Sequence, residues 1–147
     1  MLTEVIENLE VTAGGRYIDC TLGEGGHSEA ILELSQPGGQ LLGLDADHEA
    51  IMVSRNRLEK FKSSSFLVNS YFSNVSNIAH ELNFVPVHGV LLDLGLSSLQ
   101  LDFEERGFSF SDNNILDMRF GLNNNLTAKK IVNEYPENEI SNIIYQF

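Results

Sequence analysis

Cysteine is almost absent from the chain. Cys20 stands alone, so no internal disulfide and no cysteine-built metal site can form, and a small buried strand residue is the expected role for it. Basic residues are scarce as well. Nine Lys and Arg face 21 Asp and Glu, for a formal charge of −12. That balance argues against a nucleic-acid grip built from these residues alone, because phosphate binding relies on cations that displace counterions. Arg55, Arg57, Lys60 and Lys62 do cluster, but on an expected helix whose solvated face ordinarily carries such charges. No apolar run approaches membrane-spanning length, and an N-terminal segment bearing Glu4, Glu7 and Glu10 lacks the basic start of a signal peptide, so a cytoplasmic location is expected.

What remains is ordinary for a globular domain: 147 residues, 42% hydrophobic and 20% charged, with no internal repeat and no linker. Leu2, Val5, Ile6 and Leu9 recur at helical spacing. Strands are expected at Tyr17 to Leu22, Gln40 to Leu44, Phe66 to Val68 and Gly89 to Leu94, the last as a run buried on both faces. Between them fall helices from Ser28, as N-cap, through Leu34; from a cap at Asp47 with Ile51 and Leu58 inward; and from Ser73 through Leu82. This alternation predicts an α/β fold with a parallel sheet and right-handed crossovers. Beyond Gly95 the texture is that of a long functional loop, with an Asn-rich stretch at Asn123 to Asn125. A helix capped by Thr127 follows, and then a last helix after Pro136 with Ile140, Ile143, Ile144 and Phe147 on one face.

Chemistry is concentrated where the first strand meets the first crossover helix. Gly23, Gly25 and Gly26 remove the Cβ atoms that would keep a ligand from the backbone, and the following helix offers unpaired N–H groups. A tight turn would also use glycine, but Asp45, about twenty residues on, closes the next strand where such folds set a carboxylate against ribose hydroxyls. The dinucleotide fingerprint wants Gly or Ala where Ser28 stands, which favours S-adenosylmethionine over NAD. Asp19 reads either as a cofactor carboxylate or as a partner for backbone N–H groups in the turn.

Downstream, Asp93-Leu94-Gly95-Leu96-Ser97-Ser98-Leu99-Gln100-Leu101-Asp102 is followed by Arg106-Gly107-Phe108-Ser109-Phe110 and by Leu116-Asp117-Met118-Arg119. With the glycine loop, these motifs resemble the RsmH (MraW) family, S-adenosylmethionine-dependent methyltransferases acting on the N4 amine of a cytidine in 16S ribosomal RNA of the small ribosomal subunit. The resemblance runs from Leu2 to Phe147, with Leu99 where proline is usual and Phe120 where methionine is common. It implies a Rossmann-like methyltransferase core, a cofactor-binding region over 1–110 with its first four strands, and the start of a helical substrate-recognition insertion over 111–147. Family members are longer, so the resemblance covers their N-terminal part.

The same resemblance implies the site. Gly25, Gly26 and His27 would line the methionine and ribose side of S-adenosylmethionine, Asp45 would take the ribose hydroxyls, and Phe72 would flank the adenine, with core packing as its plainer role. Asp93 and Gln100 would complete the cofactor contacts. From the chemistry of methyl transfer rather than from the resemblance, Asp93, Ser97 and Ser98 are expected to form the acceptor side of the catalytic pocket, Arg106 and Arg119 to meet RNA phosphate or hold the loop closed, and Phe108 or Phe110 to stack on the target base, no metal being required. For Arg119 with Asp117 the competing expectation is an ion pair bracing the loop, and for Phe108 and Phe110 a hydrophobic anchor. Two other function classes stay open: a nicotinamide-dependent dehydrogenase, and a non-catalytic remnant that binds cofactor or self-associates, as a homodimer, through an exposed sheet edge.

Overall fold

The structure, a computed structural model, describes residues 2–97, 100–101, 106–109, 115–121 and 125–147. They divide into two compact units, Met1–Ser97 and Ser98–Phe147. Among the described residues no helix is long and apolar enough to cross a membrane.

The first unit runs α1 (Leu2–Leu9), β1 (Arg16–Asp19), α2 (Gly26–Leu34), β2 (Gln40–Asp45), α3 (His48–Arg57), β3 (Ser65–Asn69), α4 (Val75–Glu81) and β4 (Gly89–Leu91). All strand pairs are parallel and the order is β3-β2-β1-β4. Alternation along the strands fills both faces. Tyr17, Leu41 and Leu91 meet Ile31 and Leu32 of α2, Ile51 of α3 and Leu58, with Val5, Ile6 and Leu9 of α1 packed alongside. Ile18, Leu42 and Leu44 point the other way, onto Ile78 and Ala79 of α4 and onto Phe84. Gly43 is bare because Leu22 lies across it: a Cβ there would come within 2.8 Å of Leu22 Cδ1.

Winding reverses at β1. The chain steps outward through β2 and β3 with α2 and α3 on one face, then returns across the other face by α4 to place β4 on the far side of β1. The carboxyl ends of β1 and β4 therefore flank a topological switch point, where open α/β sheets have their ligand crevice.

Several boundaries differ from the sequence expectation. β4 stops at Leu91 instead of Leu94 and is not buried on both faces: Val90 is 46% exposed, because β4 is the outermost strand of the sheet among the described residues. β1 ends at Asp19, although Cys20 N still donates to Leu91 O and Leu22 N to Leu44 O, both at 2.9 Å. α2 opens at Gly26, with Gly25 at its N-cap in the left-handed region (φ 79°), so Ser28 is a first-turn residue and not the cap. A 3-10 turn, Phe72–Asn74, precedes α4. Asp47 does cap α3, accepting from Glu49 N at 3.0 Å.

In the second unit, α5 (Ala128–Glu134) is capped by Thr127, whose Oγ1 accepts from Lys130 N at 3.2 Å, and α6 (Glu137–Gln146) follows Pro136. Along α6 Ile140 and Ile143 are half-buried, whereas Ile144, Tyr145 and Phe147 are exposed. Phe110, Asn123 and Asn124 lie outside the described residues.

Burial separates the strands energetically. Leu42→Ala, in the centre of the sheet with no exposed surface, is expected to lower unfolding free energy by about 2–5 kcal/mol. Val90→Ala, on the outer strand, is expected to change it by about 0.5 kcal/mol or less in urea denaturation.

Candidate functional site

Three carboxylates stand at the open end of the sheet: Asp19 closes β1, Asp45 closes β2 and Asp93 lies two residues past β4. Each is tied down differently. Asp45 spends one oxygen on each flank, Oδ2 accepting from Gly23 N and Oδ1 from Asp47 N, both at 2.8 Å. It thus couples the glycine loop after β1 to the start of α3. An ionised carboxylate oxygen has a second lone pair, so both oxygens retain capacity for a further donor. Beside it Asn69 Nδ2 donates to the Asp45 carbonyl at 2.9 Å, joining the ends of β2 and β3.

Asp19 is 1% exposed and serves the loop from below. Its Oδ2 accepts from Ser28 Oγ at 2.7 Å, and its Oδ1 from Thr21 N at 3.1 Å and Thr21 Oγ1 at 3.4 Å. Asp19 thus acts as a partner for a backbone N–H in the turn, that of Thr21. Thr21 Oγ1 in turn accepts from the Asp93 N–H at 2.8 Å, and Asp93 Oδ2 lies 3.8 Å from His27 Nδ1. Asp93 and His27 thus come together across the switch point from elements about seventy residues apart in sequence.

The glycine loop itself is clamped. Gly25 N donates to Leu22 O and Gly25 O accepts from Glu29 N, each at 2.8 Å, while a Cβ on Gly25 would approach Ser54 Cβ to 3.1 Å in addition to the strain of its positive φ. Arg57 Nη1 donates to Glu24 O at 3.1 Å. The basic cluster is therefore mixed: Lys60 pairs with Glu29 and Glu33 and Lys62 with Glu59 on a solvated face, but Arg57 reaches back to the loop. Sequence reading missed this Arg57 contact and the Thr21 bridge. The only signal for Thr21 was its place between Asp19 and the first glycine, which does not single out a hydroxyl.

Phe72 is 46% exposed at the turn that follows β3, so core packing does not account for it. Gln100 belongs to the second unit, on helical backbone, and Ser98 lies outside the described residues. Also in the second unit, Asp117 and Arg119 form a two-pronged ion pair with Nε–Oδ1 and Nη2–Oδ2 at 2.7 Å, which realises the loop-bracing expectation. Arg106 Nη1 donates to Phe120 O at 3.4 Å, and the Phe108 and Phe120 rings lie 5.5 Å apart. Phe108 thus has the ring partner expected of a hydrophobic anchor.

Burial pushes the Asp19 carboxyl above its ordinary range, against the hydrogen bonds from Ser28 and Thr21 and the charge of His27, which pull it down. Asp45 is raised for the same first reason, opposed by the Asp47 and Gly23 N–H groups. Because the folded value of Asp19 lies above the unfolded one, its contribution to stability is complete below the unfolded value and is lost as pH rises through the folded one. The unfolding free energy of the wild type minus that of Asp19→Asn is accordingly expected to fall as pH is raised from about 3.5 to 7 in urea titrations. Asp45, present in both proteins, cancels from the difference; a difference independent of pH contradicts the assignment.

The family model for MraW methylases matches residues 1–147. Over all 147 residues the chain is 54% identical to ribosomal RNA small subunit methyltransferase H of Dehalococcoides mccartyi and 44% identical to the protein of the same name from Symbiobacterium thermophilum. It spans 42% and 46% of their lengths, so the chain corresponds to less than half of these relatives. Among solved structures it resembles one described as an rRNA methylase from Clostridium thermocellum, with TM-score 0.56 and 20% identity over 65% of this chain and 52% of that one. It also resembles a protein-L-isoaspartate O-methyltransferase, with TM-score 0.52 and 11% identity over 65% and 29%. At those identities the likeness is one of fold, a Rossmann-like parallel sheet with flanking helices. The sequence match, which runs the full length of the chain, places it in the MraW methylase family.

Proposed function

We propose that this chain carries the S-adenosylmethionine-binding part of an enzyme that methylates the N4 amine of a cytidine in 16S ribosomal RNA. The observation that supports this most directly is the convergence of Asp45, Asp93, His27 and a clamped glycine loop at the switch point of a sheet in a chain of the MraW methylase family. The relatives' name, ribosomal RNA small subunit methyltransferase H, supports the RNA substrate. The same match counts against the dehydrogenase reading.

The residues fit such a cofactor chemically. Asp45 has acceptor capacity left on two oxygens for a vicinal diol, Phe72 offers an exposed ring face to a purine, and Gly25 and Gly26 leave the loop backbone approachable. Asp93 and Gln100 are assigned to the cofactor by resemblance alone. When bound, S-adenosylmethionine supplies a methyl group on a sulfonium centre. The chain's residues have the task of positioning, since the cytosine N4 lone pair is delocalised into the ring and attacks weakly. We assign to Asp93, 44% exposed and 3.8 Å from His27, the role of accepting an N4 hydrogen and keeping that lone pair directed at the methyl carbon, and assign Ser97 and Ser98 to the same acceptor role. Arg106, Phe108 and Arg119 are assigned to RNA: phosphate contact for the arginines, stacking for the ring. Because Arg119 is engaged with Asp117, its part is to hold the loop as much as to meet RNA. The enzyme would work in the cytoplasm on the small ribosomal subunit. For these 147 residues alone, cofactor binding without transfer is a second reading, favoured by the short, half-exposed strand β4 at the sheet edge.

Calorimetric titration tests the cofactor assignment. Saturable binding of S-adenosylhomocysteine and none of NADH is expected, with Asp45→Ala weakening the former by about tenfold or more; binding of neither overturns it. Incubation with small ribosomal subunits and labelled S-adenosylmethionine, followed by nucleoside analysis, separates the two readings. Label in N4-methylcytidine supports transfer, and a chain that binds cofactor without labelling RNA supports the second.

A further inference from the structure

Past Leu91 the β4 strand leaves the sheet: Cys20 N donates to Leu91 O, and the flanking Leu92 and Leu94 side chains are exposed. Asp93 therefore lies two residues beyond the last strand residue, between two leucines that are largely exposed. Its backbone N–H is instead bound at 2.8 Å by Thr21 Oγ1, a side chain from the end of β1. That hydroxyl is itself oriented. It donates toward Asp19 Oδ1 at 3.4 Å, which turns a lone pair to the Asp93 N–H, and Asp19 is fixed from the opposite side by Ser28 Oγ at 2.7 Å in the first turn of α2. His27, the neighbour of Ser28, completes the circuit 3.8 Å from Asp93 Oδ2. Three elements that meet only in the folded state, β1, α2 and the segment after β4, are thus joined through the Asp19 carboxylate and the Thr21 hydroxyl.

We propose that Thr21 is a positioning residue: its hydroxyl, aligned by the buried Asp19 carboxylate, sets the backbone at Asp93 and so holds the Asp93 carboxylate opposite His27 at the switch point. Its bearing on cofactor affinity rests on the reading of Asp93 given under Proposed function; the tether itself does not. A valine at this position keeps the branched shape and removes both hydrogen bonds, whereas a serine keeps the hydroxyl.

Amide hydrogen exchange by NMR in the 147-residue chain tests the tether, with the Ile18 and Leu42 amides as internal reporters of the sheet. In Thr21→Val the Asp93 amide is expected to exchange about tenfold faster while Ile18 and Leu42 stay protected, and Thr21→Ser is expected to remain within about twofold of wild type. Should Ile18 and Leu42 lose protection in Thr21→Val, the comparison passes to Thr21→Ala. Unchanged Asp93 exchange in a variant whose sheet is intact overturns the proposal. The same proteins titrated with S-adenosylhomocysteine are expected to show about tenfold weaker binding for Thr21→Val and rescue by Thr21→Ser. Faster exchange with unaltered affinity upholds the tether and removes Asp93 from the cofactor contacts, while a wild type that binds no S-adenosylhomocysteine overturns the cofactor reading and leaves exchange to decide the tether.

Discussion

Asp19 has almost no exposed surface, yet it accepts hydrogen bonds from Ser28, the Thr21 backbone and the Thr21 side chain, so the end of β1 can stay buried only while those donors are in place. Burial disfavours its charged form, and three donors within reach are what make a carboxylate tolerable there. The same donors fix the geometry around it. Ser28 sets the first turn of α2, Thr21 sets the start of the glycine loop, and through Thr21 the segment after β4 is drawn in. Stability and site geometry are therefore one arrangement at this end of the sheet.

A parallel sheet whose winding reverses has its topological switch point between β1 and β4, with α2 leading away from β1 over one face and α4 bringing the chain back over the other. Strand ends there expose backbone N–H groups that have no ladder partner. Short acidic side chains satisfy them: Asp45 takes those of Gly23 and Asp47, and Asp47 takes that of Glu49 at the start of α3. The acids that could meet a ligand are thus already braced before one arrives, which reduces the ordering that binding must supply. Arg57 adds a cationic strut to the loop at Glu24.

Much of this was legible in local pattern. Asp47 before His48, Thr127 before Ala128 and Pro136 before the last helix each marked a helix start through a local physical cause, a side-chain cap or a fixed φ. Asp45 was legible in the same way as the acid that closes an apolar strand. Ser28 misled because its residue type suits an N-cap, but Gly25 in the left-handed region let the helix begin three residues earlier and freed the serine hydroxyl for Asp19. The apolar run from Gly89 read as a doubly buried strand, although burial depends on what lies beside a strand and β4 is outermost among the described residues. Arg57 read as one of several surface cations, since nothing in its own neighbourhood points to a carbonyl thirty-three residues earlier.

By itself the sequence determined the alternation of strands and helices, the glycine loop and the acids that close the strands. These follow from periodicity, backbone sterics and side-chain capping, all of which act within a few residues. Tertiary structure alone decided which strand lies at the edge, that Asp19 supports the loop from beneath, and that Thr21 reaches the N–H of Asp93, seventy-two residues away in the chain. Such a contact is set by strand order and register, which depend on how both faces of the sheet are packed and leave no mark at either residue.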